Sequence, residues 1–144
     1  MRTAVVLSLA LLIAACSSVT PVPIRAGDIC FTCRRPIIDE KLAAEVIDQN
    51  GMALKFRTVT CMAKFMTAQT REMRGLFVTD YQSGRFVPAR SAMFVYHKID
   101  ETTNEMDYAA FSTVPQAVEF GKKKAASPVD WLQIMQFTKA KASN

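Results

Sequence analysis

The sequence predicts an α+β fold made of two tandem β-β-α-β units and a short C-terminal helix. Three observations carry this. Residues 42–56 and 92–111 each read as a β-hairpin. Each hairpin is followed by a segment with helical spacing of apolar residues. The two strand-to-helix junctions also align at a shift of 55 residues: Phe56-Arg57-Thr58-Val59-Thr60-Cys61-Met62-Ala63-Lys64-Phe65 lies over Phe111-Ser112-Thr113-Val114-Pro115-Gln116-Ala117-Val118-Glu119-Phe120, with Phe, Thr, Val and Phe coinciding at four of ten positions.

In the first unit, Leu42 to Ile47 reads as a strand, and Asn50-Gly51 is a strong hairpin signal because both residues tolerate positive φ. Met52 to Phe56 is the return strand, with Met52, Leu54 and Phe56 on one face. A helix is predicted from Val59 to about Met73, ended by Gly75, before a third strand over Leu76 to Tyr81. In the second unit, strands are predicted over Ala92 to Lys98 and Met106 to Phe111 around the polar turn Asp100 to Asn104. A helix over Val114 to Ala125 and a last strand over Pro128 to Leu132 complete it, and Leu132 to Ala142 forms the terminal helix. Thr113 with Gln116 fits a capping box, and Thr58 is the equivalent cap. The units span about 29–82 and 83–144, and Trp131 is a core or edge anchor.

The N-terminus carries Arg2, an apolar run from Ala4 to Ala15 broken only by Ser8, and Ile13-Ala14-Ala15-Cys16. Small residues directly before a cysteine form the pattern of a bacterial lipoprotein signal. The run is shorter than the ~20 residues of a membrane span. Residues 1–15 are therefore expected to be a signal peptide, and Cys16 the lipidated anchor of a domain in the bacterial cell envelope, facing the periplasm. Ser17, where an aspartate would favour inner-membrane retention, leans the expectation to the outer membrane. Residues 16–28, rich in Ser, Thr and Pro, read as a tether, with the folded domain spanning 29–144.

Lys plus Arg number 18 and Asp plus Glu 13, a net charge of +5 that falls to +4 without Arg2. The basic residues are scattered apart from Lys122-Lys123-Lys124, which reads as the solvated face of a helix, so no nucleic-acid partner is expected. A single histidine cannot build a Ser-His-acid arrangement and no phosphate loop is present, so the chain does not read as an enzyme.

Three cysteines remain besides Cys16: Cys30, Cys33 and Cys61. Cys30-Phe31-Thr32-Cys33 places two thiols within reach of one metal ion or of each other. Zinc would want a second such pair, and a thioredoxin-like site would want the pair opening a helix. Thiolate and thioether ligands select Cu(I), which is satisfied by two or three of them. His97 and Met106 end and begin the two strands of the second hairpin, so an imidazole and a thioether at its open tip are candidate ligands. Cys61, third in the predicted first helix, is a further candidate thiol. The helix N-terminus would favour its thiolate, and its alternative is a small buried hydrophobe. Most of the other methionines read as core filler.

The chain resembles the NosL family of copper-binding accessory lipoproteins of nitrous-oxide-reductase maturation. The resemblance rests on the lipidated cysteine, Cys30-Phe31-Thr32-Cys33 soon after the tether, Val59-Thr60-Cys61-Met62, Val78-Thr79-Asp80-Tyr81-Gln82-Ser83-Gly84, Phe94-Val95-Tyr96 and Ala109-Ala110-Phe111-Ser112. It implies the duplicated β-β-α-β fold, Cu(I) binding outside the cytoplasm and delivery to a cuproenzyme. It matches Cys33 to the family's metal-binding cysteine and Met106 to the methionine of its second hairpin. Two departures stand out: Arg34-Arg35 replaces the usual Gly-Met, and Glu105 and Asp107 flank Met106. The expected function is Cu(I) delivery by Cys33, Cys30, Met106 and His97 to an apo-cuproenzyme, nitrous oxide reductase among them, or exchange with a copper transporter. The alternatives are an interaction lipoprotein with a structural Cys30–Cys33 disulfide, and a thiol redox protein cycling that pair.

Overall fold

A computed structural model describes residues 18–144. The expected signal segment, the anchor Cys16 and Ser17 lie outside the described residues. Seven strands and three α-helices follow in the order β1 (Ala44–Ile47), β2 (Ala53–Phe56), α1 (Val59–Ala68), β3 (Gly75–Thr79), β4 (Phe86–Pro88), β5 (Met93–Asp100), β6 (Glu105–Phe111), α2 (Val114–Lys124), β7 (Val129–Asp130) and α3 (Trp131–Ala142). The sheets run β2-β1-β3-β4 and β6-β5-β7, with every strand pair antiparallel. In each unit the first hairpin strand is central, the return strand lies on one side and the strand after the helix on the other. The duplicated β-β-α-β plan is therefore present, and β4 is an added edge strand that the sequence did not reveal.

Local chemistry sets the boundaries. The first hairpin closes around Asp48, whose Oδ1 accepts from the Asn50 and Met52 amides, and only Gly51 adopts positive φ. Asp100 does the same for the amides of Thr102 and Thr103 in the second hairpin, where Asn104 is left-handed. Helix α1 stops at Ala68, five residues before the predicted end at Met73, because Gln69 turns to extended backbone. The Arg74 amide then bonds to the Ile47 carbonyl and leads into β3. Thr113 occupies the N-cap of α2, but its hydroxyl donates to the Gln116 side chain (2.8 Å) instead of capping the backbone. Asp130 and Gln133 form a full capping box on α3. Among the described residues no helix is long and apolar enough to cross a membrane.

The main core joins the units. Phe56, Val59, Met62 and Ala63 pack with Val46 and Val78 of the first sheet, Phe94 and Ala110 of the second, and Trp131 and Ile134 of α3. Trp131 is thus a core anchor. Helix α2 covers the other face of the second sheet through Ala117 against Val95, Ala109 and Phe111, and Lys122-Lys123-Lys124 is solvated as expected. Burying one large apolar side chain contributes about 1.5–3 kcal/mol.

The segment predicted as a tether is partly laid on the domain. The Val22 amide donates to Glu45 Oε1 (2.7 Å), Lys55 Nζ donates to the Pro23 carbonyl (2.9 Å), and Ile24 is buried with Ile37 and Ala43. Five residues lie between Cys16 and Val22, a reach of about 20 Å when extended. Glu45 is fully buried, and burial pushes its carboxyl above the usual range against the pull of the Val22 amide and Lys55.

Candidate metal centre

The cysteine pair lies on a short loop shaped by its backbone. Ile29 and Pro36 bridge in antiparallel fashion, the Cys30 amide donates to the Arg35 carbonyl (3.0 Å), and the Arg34 amide donates to the Cys30 carbonyl (3.1 Å). Closing this turn puts Arg34 at φ 60°, the left-handed region that costs a side-chain-bearing residue about 1–2 kcal/mol. The loop is fastened at both ends. The Phe31 amide donates to the Lys55 carbonyl on β2 (2.8 Å), and the Thr32 hydroxyl donates to the Cys61 carbonyl on α1 (3.0 Å). Phe31 also stands edge-on to Phe56 and Phe65, with ring centroids 6.2 and 5.4 Å away.

Cys61 is the third residue of α1. Thr58 caps the helix by accepting from the Cys61 amide (3.3 Å), and Asp107 of β6 accepts from the Thr60 amide (3.0 Å). These bonds fix the start of α1 under the cysteine loop. The sulfurs of Cys30, Cys33 and Cys61 consequently lie within 4.8 Å of one another, with Cys30 buried and the other two half-buried. All three thiols are free. Metal–thiolate bonds of about 2.3 Å place the sulfurs of a trigonal site about 4 Å apart. The trio can therefore close on one soft ion with small side-chain shifts.

The hydrogen bonds distribute charge unevenly. Contact with the Cys61 thiol favours the Cys30 thiolate most, and the amides of Arg57 and Cys33 and the Cys33 thiol add to it. Together they outweigh burial and pull Cys30 down to about 4. The same contact with Cys30, followed by burial, pushes Cys61 up. The helix-start expectation is reversed in direction: Cys30, not Cys61, is the thiol held low. Beside the trio, Arg57 holds Glu105 through two bonds (2.7 and 2.9 Å), and Arg35 reaches the same carboxylate at 3.0 Å. Arg57, despite opposing burial, holds the Glu105 carboxyl below its usual range, with Arg35 assisting. Arg35 also contacts the Cys33 sulfur, which with Glu105 raises its guanidinium pKa. The two adjacent arginines thus serve different ends: Arg34 closes the turn and Arg35 ties Cys33 to Glu105.

The structure separates His97 from Met106. In the hairpin register His97 faces Asp107 and Met106 faces Lys98, so the two side chains leave β5 and β6 on opposite sides. His97 is buried in an aromatic nest, 5.1 Å from the Phe120 ring and 5.9 Å from Tyr81. Both of its nitrogens lack partners among the described residues, and burial lowers its pKa. Met106 shares its face with Tyr108, which packs on the core that includes Cys33 and Cys61. Its neighbours are both tied to the cysteine-bearing elements, Glu105 to Arg35 and Arg57, and Asp107 to the start of α1. Met106 thus lies on a strand stitched to the trio, while His97 belongs to the other core. The sequence placed Cys61 at a helix start but gave no sign that the loop of Cys30 and Cys33 docks there. That docking runs through the Lys55 and Cys61 carbonyls, which carry no side-chain signature.

The fold and the trio define a small two-unit α+β domain with a partly buried three-thiol group able to hold a metal ion. No protein-family model matches the sequence, and no curated protein matches it. The fold matches the crystal structure of the copper chaperone NosL from Shewanella denitrificans with a TM-score of 0.68, over 82% of this chain and 97% of that chain, at 16% identity. The duplicated scaffold is therefore the one on which that copper chaperone is built.

Proposed function

We propose that this protein is an extracytoplasmic Cu(I)-binding lipoprotein that passes copper to a cuproenzyme, with Cys30, Cys33 and Cys61 as the holding ligands. The observation that carries this reading is the clustering of three thiols within 4.8 Å on the scaffold of a copper chaperone. An all-sulfur, low-coordinate set suits Cu(I) above the harder divalent ions. Cys30, held below the usual thiol range by the groups that hydrogen-bond to it, gives up its proton readily to an incoming ion. Arg35 and Arg57, only partly neutralised by Glu105, offset the negative charge that three thiolates place on one cation. Met106, on the stitched strand beside the site, is suited to take up copper as a thiolate lets go, so that the ion moves by ligand exchange. Lipidation at Cys16 would hold the domain at the membrane, and the few residues between Cys16 and the docked Val22 would keep the site near that surface. The recipient in this reading is an envelope cuproenzyme, nitrous oxide reductase being the one the sequence resemblance implies.

Competition of the reduced protein with a chromogenic Cu(I) chelator tests the proposal. Cys30→Ser, Cys33→Ser and Cys61→Ser are each expected to weaken binding ~100-fold or more, while His97→Ala leaves it unchanged. Wild-type protein that takes no Cu(I) from the chelator, or serine variants that bind as tightly, would overturn it.

A further inference from the structure

Resting on the reading of Cys16 as a lipid anchor, we propose that the cleft around Val19 on the first sheet is a membrane-docking surface, in which Arg74 and Arg90 bind anionic phospholipid headgroups. The cleft holds about 420 Å³, and Val19, Met73, Arg74, Gly75, Phe77 and Arg90 are among the residues that line it. Both arginines are exposed, whereas Val19, Met73 and Phe77 are half-buried. Among the described residues no ion pair includes Arg74 or Arg90. Two unpaired guanidiniums over apolar side chains form an amphipathic surface, and the guanidinium fork matches the oxygens of a lipid phosphate.

The chain itself brings the bilayer to this cleft. Val19 packs so closely on β3 that a Cβ at Gly75 would come within 3.2 Å of its Cγ1. Cys16 lies three positions earlier, so its Cα is at most about 11 Å from that of Val19. Acyl chains on Cys16 would therefore enter the bilayer beside Arg74 and Arg90. From Val19 the segment crosses the sheet by way of Val22 on Glu45 and Pro23 on Lys55, two residues that form one cross-strand row with Phe77. Val46, next to Glu45, points to the opposite face. There it packs in the core that contains Cys30 and borders Cys33 and Cys61. Docked through the cleft, the first sheet stands between the bilayer and the thiols, which then face away from the membrane. The other basic cluster, Lys122-Lys123-Lys124, ends α2 on the far face of the second sheet and has no such link to the anchor.

The protein as processed in a bacterial envelope is reconstituted into vesicles of phosphatidylcholine alone or with phosphatidylglycerol. Its arginines are labelled with phenylglyoxal and mapped by mass spectrometry, and the N-terminal peptide of the same digest reports acylation of Cys16. Labelling of Arg74 and Arg90 is expected to fall about fivefold or more when phosphatidylglycerol is present, while Arg34 beside the thiols is labelled equally in both vesicles. The protection should fade at high salt, and inorganic phosphate added to phosphatidylcholine vesicles should not reproduce it. Arg74→Glu should strip the protection from Arg90 and leave the Cu(I) affinity of the reduced protein unchanged. Lys122→Glu/Lys123→Glu/Lys124→Glu should leave the protection intact. Equal labelling of Arg74 and Arg90 in both vesicles, protection of Arg34 as strong as theirs, or protection that depends on the lysine triplet would overturn the docking surface. An unacylated Cys16 would overturn the anchor reading and the docking with it, and the N-terminal peptide tells that failure apart from a failed footprint on acylated protein.

Discussion

The loop of Cys30 and Cys33 has a twin at the junction where the first unit passes into the second. At Asp80 to Arg85 the Asp80 amide donates to the Arg85 carbonyl (2.8 Å) and the Gly84 amide to the Asp80 carbonyl (2.8 Å). These are the bonds that Cys30, Arg34 and Arg35 make, with Gly84 in the left-handed position of Arg34. The Tyr81 amide donates to the Ala110 carbonyl on β6 as the Phe31 amide does to Lys55 on β2. Gln116, at the place of Cys61, donates to the Gln82 side chain. Each loop turns its amides onto one buried acidic group held low. In the first, Cys30 receives the amides of Cys33 and Arg57. In the second, Asp80 receives those of Ser83 and Ser112, each at 2.7 Å, along with the Ser83 hydroxyl. The anion cradle is thus a property of the duplicated backbone. What distinguishes the units is the residue set: Cys, Cys and Cys gather soft ligands, whereas Asp, Ser and Gln satisfy each other and lock the joint between the sheets.

The comparison breaks most sharply by removing each anion. Asp80→Ala leaves the amides of Gln82, Ser83 and Ser112 without their acceptor, and a loss of about 3 kcal/mol in urea unfolding is expected. Cys30→Ala should cost about 1–2 kcal/mol in the same measurement, since it leaves fewer donors stranded, yet abolish high-affinity copper binding.

Acid offers a second contrast. Burial raises the Asp80 carboxyl, but the hydrogen bonds from Ser83 and Ser112 outweigh it and leave its pKa below the usual value; Glu105 is likewise held low. Groups whose folded pKa is depressed contribute stability that is present above their unfolded pKa, about 4, and lost as pH falls through the folded value. Melting curves of Asp80→Asn and wild type should therefore differ most at neutral pH and converge in strong acid. Glu45 shifts the other way. Its raised pKa makes the buried charge a cost as pH rises, so Glu45→Gln should stabilise the domain by about 1 kcal/mol at neutral pH and have no effect well below pH 4. A destabilised Gln variant at neutral pH would show that Lys55 compensates the buried charge.

The smallest effect separates the two turn residues. Gly84→Ala should destabilise by about 1 kcal/mol, because φ is 70° there. Arg34→Gly should be neutral or slightly stabilising, relief of the left-handed strain being offset by loss of the guanidinium stacked on Phe31. Thermal melts of the two single variants check both signs.

Much of the fold was legible because its signals are local. The Asn50-Gly51 turn, the Thr58 and Thr113 cap positions and the period change after Phe56 and Phe111 can each be read within a few residues. The twin loops were hidden for a physical reason. Partner residues Ala44 and Phe56 correspond to Met93 and Phe111, shifts of 49 and 55 residues, because the second hairpin is six residues longer. A single shift of 55 therefore aligns the junctions but misses the loops, which coincide at 50 and share only Arg35 and Arg85. The short edge strand β4 and the laid-down segment around Ile24 depend on tertiary contacts that no local pattern encodes. Of the candidate site, Cys30, Cys33 and the position of Cys61 in its helix were readable. Their convergence was not, and the pairing of His97 with Met106 failed on a one-residue difference in register.

The most direct test of the central claim is copper X-ray absorption on the reduced, Cu(I)-loaded protein. Three sulfur neighbours at about 2.3 Å with no nitrogen contribution are expected. A spectrum that requires an imidazole nitrogen, or that is unchanged in Cys61→Ser, would contradict the three-thiol site.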